Sequence, residues 1–373
     1  MKHRVTFATA SKAAIRVTVQ GKAPTDVNRF LLTGHGDEKD IEFDVGSYVA
    51  DVRNLGSGES YEYPFRIDAS SEHIVHTVGR LSDEHSAWRS IAVHHRSSSA
   101  AKDETLTRST GTAEFSNLRM RAPHQKLWRQ FSGSRLASVD QPNITKLVRA
   151  GNWSDYPVVR HQFADGMGNS WHSYVPLFSG GTLVWHNEQG AGLPVIRPYE
   201  SKSEAIVGSL NHSTRDEASE IVRWAAGSDE ADAIRSIQHS RDDPWAAAAA
   251  ALLLIRAGRG KDLGTYAVRF AQRHTWLADA GIIAAWWQAS RAEETECLKQ
   301  LAGAREHGQI YYWNSLAAGE QLLSALGSGS KSIQLRAAAR KELGRWKRMR
   351  SGAVNAGAFA VWPTGDHKSD PTC

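Results

Sequence analysis

Five histidines fall between residues 73 and 95: His73, His76, His85, His94 and His95. Imidazole nitrogens ligate zinc and related ions, so a metal is the first chemistry to ask about. The spacing argues against it. His73 and His76 are an odd number of residues apart, so on a strand they point to opposite faces. Neither a Cys pair nor a His-Glu-x-x-His helix accompanies them. They read as polar surface residues, and no metal or other cofactor is expected. The two cysteines, Cys297 within a helical pattern and Cys373 at the last position, do not suggest disulfide scaffolding, and a reduced compartment fits. No Gly-x-Ser-x-Gly elbow or phosphate-binding Gly-rich loop with its lysine is present. Gly166-Met167-Gly168-Asn169 reads as a turn. No catalytic residue is assigned. One route to an enzyme stays open: Trp171, His172, Trp185 and His186 could line a pocket where β pattern gives way to α pattern.

The densest charge lies between Ser330 and Arg350. Arg336, Arg340, Lys341, Arg345, Lys347, Arg348 and Arg350 stand against one acid, Glu342. Ile333, Leu335, Leu343, Trp346 and Met349 supply apolar positions on the same helix. Such a helix could hold an acidic protein surface. It could also hold a nucleic-acid backbone, with salt-dependent affinity. The alternative is a solvated capping helix at the end of a stack. The net charge of +5 allows an acidic partner without requiring one.

Several elements must position these residues. Residues 1–70 alternate apolar and polar at period two, as in Val5/Phe7, Ile15/Val17/Val19, Tyr48/Ala50/Val52 and Tyr61/Tyr63/Phe65/Ile67. Gly34-His35-Gly36-Asp37, Gly46-Ser47 and Gly56-Ser57-Gly58 punctuate them. This predicts a small antiparallel β-sandwich. Residues 71–112 are His-, Ser- and Thr-rich and read as a loop or linker. Its part from 97 to 112 is an exposed-looking stretch of the kind proteases nick. Residues 113–200 predict a second β-rich region, either separate or completing the first sheet, with Pro142, Pro157, Pro176, Pro194 and Pro198 confining its strands.

From 201 to 350 the pattern is helical, and 351–373 reads as a C-terminal tail. Asp243 is a good N-cap with Pro244 at the first helical position. The apolar run Trp245–Ile255 is eleven residues, short of the roughly 20 needed to cross a bilayer, and reads as the innermost helix of an array. Helix starts at 244, 278 and 312 are 34 residues apart. That is the spacing of tetratricopeptide-type helical hairpins, although their Trp-x2-Leu-Gly-x2-Tyr pattern is missing. The expected class is therefore α+β and multidomain: β-sandwich-like regions followed by an irregular α-hairpin array.

Two resemblances add to this. The stretch from Asp40 to Asp68, with a strand ending at Gly46 and the next opening at Tyr48, resembles transthyretin-like or carboxypeptidase-regulatory sandwiches. Such modules mostly serve as spacers or contact surfaces. The stretch with Asp243-Pro244, Arg256-Ala257-Gly258-Arg259, Trp276-Leu277-Ala278-Asp279-Ala280, Trp286-Trp287 and Gly308-Gln309-Ile310-Tyr311-Tyr312 resembles a helical module. That module ends large bacterial proteins which often begin with caspase-like or other peptidase domains. The resemblance covers roughly 200–326 and implies an adaptor role in a peptidase-linked, defence-related system. A caspase-like site needs a Cys beside a His in an α/β sheet, and neither cysteine is so placed.

The expected function is a non-enzymatic interaction protein that docks a protein partner, with a caspase-like or other peptidase as the candidate, through its helical array. Two alternatives remain: an effector released by cleavage within 97–112, and a nucleic-acid-associated protein using 330–350. The N-terminus lacks an apolar run suited to a signal peptide, so a cytoplasmic location and no membrane contact are expected.

Overall fold

The period-two alternation of the first part becomes strands, because each sequence can bury one face and solvate the other. The computed structural model describes residues 2–9, 14–21, 26–32, 36–55, 60–70, 73–78, 118–121, 129–130, 134–137, 144–148, 158–164, 169–185, 193–199, 203, 206–208, 210, 218, 243–307 and 309–364. Seven strands make the first body: β1 (His3–Thr9), β2 (Ile15–Gln20), β3 (Val27–Leu32), β4 (Glu38–Phe43), β5 (Gly46–Asn54), β6 (Ser60–Ile67) and β7 (His73–Val78). One sheet has the order β4-β1-β7 and the other β3-β2-β5-β6. Val5 and Phe7 from the first sheet meet Val17, Val19, Ala50, Val52 and Phe65 from the second in one core.

The sandwich reaches beyond its expected limit of residue 70. Strand β7, inside the segment read as a loop, runs parallel to β1 and completes the first sheet. Its pattern is obscured because a histidine takes a core-facing position. Ile74, His76 and Val78 face inward, and the His76 ring lies 4.7 Å from that of Phe65 and 5.5 Å from that of Phe7.

Residues 118–198 hold β8 (Leu118–Arg121), β9 (Arg129–Gln130), β10 (Ser134–Ala137), β11 (Ile144–Val148), β12 (Val158–Ala164), β13 (Ser170–Val175), β14 (Thr182–Trp185) and β15 (Val195–Pro198). They form their own sheets rather than completing the sandwich. One has the order β10-β11-β14-β15. The other, β16-β17-β13-β12-β8-β9, draws two strands from the far end of the chain: β16 (Val354–Ala356) and β17 (Phe359–Pro363). The segment 351–373 is thus not simply a tail, because β17 pairs antiparallel with β13. The run Phe359-Ala360-Val361-Trp362 is buried on both faces and so lacks the alternation that marks a half-exposed strand.

Residues 203, 206–208, 210 and 218 are helical, and from 243 on the helices are α1 (Pro244–Arg256), a 3-10 turn (Gly260–Leu263), α2 (Tyr266–Arg273), α3 (Ala278–Ser290), α4 (Glu294–His307), α5 (Trp313–Gly329) and α6 (Ile333–Ser351). Helix α1 starts as its sequence predicts: the Asp243 carboxylate accepts from Ala246 N at 2.9 Å, and Pro244 follows. The same carboxylate accepts from Ser179 N at 2.7 Å, tying the helix to the turn between β13 and β14. The helix ends before Gly258, whose φ of 75° is the left-handed value that favours glycine there. Starts at 244, 278 and 313 keep nearly the predicted spacing. Among the described residues α3 packs against α1, α2, α4 and α5, and α1 is buried along most of its length. Close approach explains part of this. A Cβ on Gly281 of α3 would stand 3.3 Å from that of Ala304 on α4. Helices and second β region share one apolar core, in which Tyr174, Phe178 and Val184 join Trp245, Leu253, Ile283 and Leu323. Among the described residues, no helix is long and apolar enough to cross a membrane.

Candidate functional site

Helix α6 carries the basic residues that the sequence singles out. Ser332 caps it, its side chain accepting from Leu335 N at 3.2 Å, and Arg348 and Arg350 sit where the helix dipole favours cations. Trp346 fixes it to α5. The indole is buried over Gly319, where a Cβ would come within 2.2 Å of the ring.

Four of the seven basic residues are engaged within the fold: Arg336, Arg340 and Arg350 tie the helix to its neighbours, and Arg345 pairs within it. Arg336 donates to Ser330 O at 2.6 Å and Arg340 to Gly327 O at 2.8 Å. Both therefore satisfy carbonyls at the C-terminal end of α5 that lack a helical donor. Arg345 donates at 3.0 Å to Glu342, which is buried and also paired with Arg305 of α4. Arg350 pairs with Glu320 of α5 and lies 5.3 Å over the Trp313 ring. Lys341, Lys347 and Arg348 are exposed, and none has a side-chain hydrogen bond or ion pair among the described residues. Lys341 and Arg348 are two helical turns apart on one line, and Lys347 lies about 100° round the helix from Arg348. Ile333, expected to add an apolar contact, is 74% exposed, whereas Leu335, Leu343 and Met349 pack against the core. What the helix presents is three exposed cations, suited to acidic groups and carried on an anchored helix.

A second centre does not stand out in the sequence. Asp279, in the first turn of α3, is fully buried and accepts from Tyr311 N and Tyr312 N, both at 3.0 Å and one on each oxygen. Tyr311 and Tyr312 are also paired with the C-terminal hairpin. Ala360 N donates to Tyr311 O at 2.8 Å, and Trp313 N donates to Ala358 O at 2.9 Å. The Tyr312 hydroxyl donates to Trp245 O at 2.8 Å. One short segment thus joins α1, α3, α5 and β17. Burial raises the Asp279 carboxyl to about 6, against the opposing pull of Ser315, Tyr311 and Tyr312. A carboxyl in that range suits acid-base chemistry. Here both oxygens are committed to backbone donors in the core, so the group is a structural clamp. Asp279 and Tyr311-Tyr312 are both present in the motifs quoted above, but their joining needs the tertiary fold.

The other expected sites separate. His73 faces out from β7, with Nε2 2.8 Å from Thr6 Oγ1, while His76 faces the core. His85, His94 and His95, and the 97–112 stretch, lie outside the described residues. Among the described residues no group of three or more His, Cys, Asp or Glu could hold a metal ion. Trp171 and His172 lie in β13, and Trp185 ends β14 in the other sheet. His186 is outside the described residues. His172 instead begins an aromatic run: its ring is 6.5 Å from Tyr174, which is 5.7 Å from Tyr311, which is 4.8 Å from Trp245.

Two further histidines are held neutral in the interior. Burial pushes His161 down to about 4, and its ring stacks on Phe163 at 5.6 Å. Burial, followed by Arg273, pushes His274 down to about 4 beside Phe270 and Trp276. The Cys297 thiol is fully buried and pushed up to about 12 by burial and then Glu294, which leaves it without nucleophilic thiolate.

No curated protein and no solved structure matches the chain. A family model does match its C-terminal part: residues 205–373 are similar to the Y4kD C-terminal domain, a span that takes in α1–α6 and the β16–β17 hairpin.

Proposed function

We propose that this chain is a non-enzymatic interaction protein that docks an acidic surface of a protein partner through the helical part. The observation that supports this reading is the division of labour on α6. Arg336, Arg340, Arg345 and Arg350 are engaged within the fold, and Lys341, Lys347 and Arg348 face solvent. Lysine and arginine exposed on a well-anchored helix steer association without needing to reorganise. In this proposal the helices act as an irregular tetratricopeptide-like stack. The partner is a bacterial peptidase, caspase-like or otherwise, of a defence-related system, and the N-terminal sandwich is a carboxypeptidase-regulatory-like spacer.

The test is affinity capture from the native host at low salt. The wild-type chain is compared with the triple variant Lys341→Glu/Lys347→Glu/Arg348→Glu. The expected result is a protein partner retained by the wild type and lost by the variant at unchanged thermal stability. Retention of the same partner by both chains refutes the docking face. Loss of nucleic acid instead of protein transfers the face to the nucleic-acid reading.

A further inference from the structure

Strand β7 is held to the rest of the sandwich on one side only. It ends the order β4-β1-β7, and among the described residues no strand pairs with its outer edge. Two of its histidines contact the neighbouring strands, and they answer acid in opposite ways.

His73 is on the outward face. Its Nε2 lies 2.8 Å from Thr6 Oγ1, and the same hydroxyl lies 2.5 Å from Asp40 Oδ1. Arg4 and then Thr6 hold the Asp40 carboxyl below the usual range, so it is ionised. A carboxylate only accepts, so the Thr6 hydrogen goes to Asp40 and the His73 ring donates to Thr6. A neutral ring and a charged ring both donate in that way. Arg4, opposite His73 in register, is itself paired with Asp40. Acid therefore leaves this end of β7 attached.

His76 is on the inward face, opposite Phe7 in register. Its ring lies 4.7 Å from Phe65, 5.1 Å from Tyr63 and 5.5 Å from Phe7. Nδ1 is 3.1 Å from the Tyr63 hydroxyl, while Nε2 is buried with no hydrogen-bond partner among the described residues. A neutral ring can leave one nitrogen bare, but a charged ring must place two N–H groups. Tyr63 can accept only from Nδ1. Of the inward positions on β1, only His3 carries a titratable side chain, four residues from Phe7. On β6 only Tyr61 and Tyr63 do, and the other inward residues of β7 are Ile74 and Val78. No carboxylate is among these positions, so none offsets a charge on the ring. Burial accordingly lowers the His76 pKa below its ordinary 6.5.

We propose that β7 is an acid-released latch, in which protonation of His76 frees the C-terminal half of the strand while His73 holds the other end. Release takes the ring into water, where it keeps its proton. Only the pairing with β1 is broken, because β7 is an edge strand. Its departure opens the hydrogen-bonding edge of β1 and uncovers Phe7 and Phe65. The neutral ring stabilises the closed strand fully above about pH 6.5, and that contribution is lost as pH falls. Between pH 7 and pH 5 the released form gains at most about 25-fold, the ratio set by a free histidine of ordinary value.

Amide hydrogen exchange of the full chain at pH 7 and pH 5, corrected for the intrinsic pH dependence of exchange and read by peptide mass, tests this. In wild type, residues 74–78 lose between about threefold and about 25-fold in protection at pH 5, while β2 and β5 keep theirs. His76→Leu removes the loss, and His73→Gln, whose amide still donates to Thr6, keeps it. Tyr63→Phe leaves the charged ring without an acceptor and brings the loss nearer its ceiling. Unchanged protection of β7 at pH 5 overturns the latch. So does an equal loss over β2 and β5, which means that the whole sandwich opens. A His76→Leu chain that keeps the acid response, or a Tyr63→Phe chain that loses less than wild type, overturns it as well.

Discussion

Replacing Asp279 should change the pH dependence of stability in a direction that the structure dictates. Its carboxyl is raised to about 6 by burial, against an ordinary value of 3.8. Between those values the folded chain holds a proton that the unfolded chain has lost. Stabilisation from this group is therefore complete below about pH 4 and is lost as pH rises through 6. A difference of about 2 units corresponds to roughly 3 kcal/mol. Asp279→Asn cannot titrate. The amide keeps one acceptor for Tyr311 N or Tyr312 N and turns an NH2 toward the other, a cost of about 1–3 kcal/mol that is constant with pH. The assay is urea unfolding followed by far-ultraviolet circular dichroism from pH 4 to 7, for wild type and variant. The excess stability of wild type over Asp279→Asn should fall by roughly 3 kcal/mol across that window. Titrations elsewhere in the chain cancel in the difference. A flat difference, or one that grows with pH, refutes the desolvated clamp.

Three further outcomes follow from named contacts. Gly319→Ala drives a methyl to within 2.2 Å of the Trp346 ring, so it should destabilise by about 1–3 kcal/mol, with partial recovery on adding Trp346→Leu; denaturant midpoints check this. Cys297, buried and pushed up to about 12, should resist iodoacetamide at pH 8 in the folded chain and react once it is unfolded, as read by peptide mass mapping. Arg336→Ala and Arg340→Ala each leave a carbonyl at the end of α5 without its donor and should cost about 1 kcal/mol, while partner capture through Lys341, Lys347 and Arg348 is unchanged; thermal melts and the capture assay separate the two effects.

Local chemistry was legible wherever a few neighbouring residues decide the outcome. Asp243-Pro244 and Gly258 mark the ends of α1 because capping needs only a side chain, a fixed φ and a left-handed residue within one turn. The strands of the sandwich were mostly legible because one buried face imposes period two. The pattern failed where a strand departs from it. In β7 a histidine occupies a core position, and β17 is buried on both faces. The seven basic residues of α6 could be named from the sequence, yet their division could not. Whether an arginine caps a neighbouring helix or faces solvent depends on what stands across from it, and only the packing of α5 on α6 decides that. The same holds for Asp279 and Tyr311-Tyr312, which are some thirty residues apart in the chain and in contact in the fold. Sequence alone thus determined the element types, the caps and the candidate charged helix, all set by interactions within a turn or a strand. Tertiary structure decided which charges remain available and how the C-terminal hairpin closes a sheet begun about two hundred residues earlier, because those depend on contacts between distant segments.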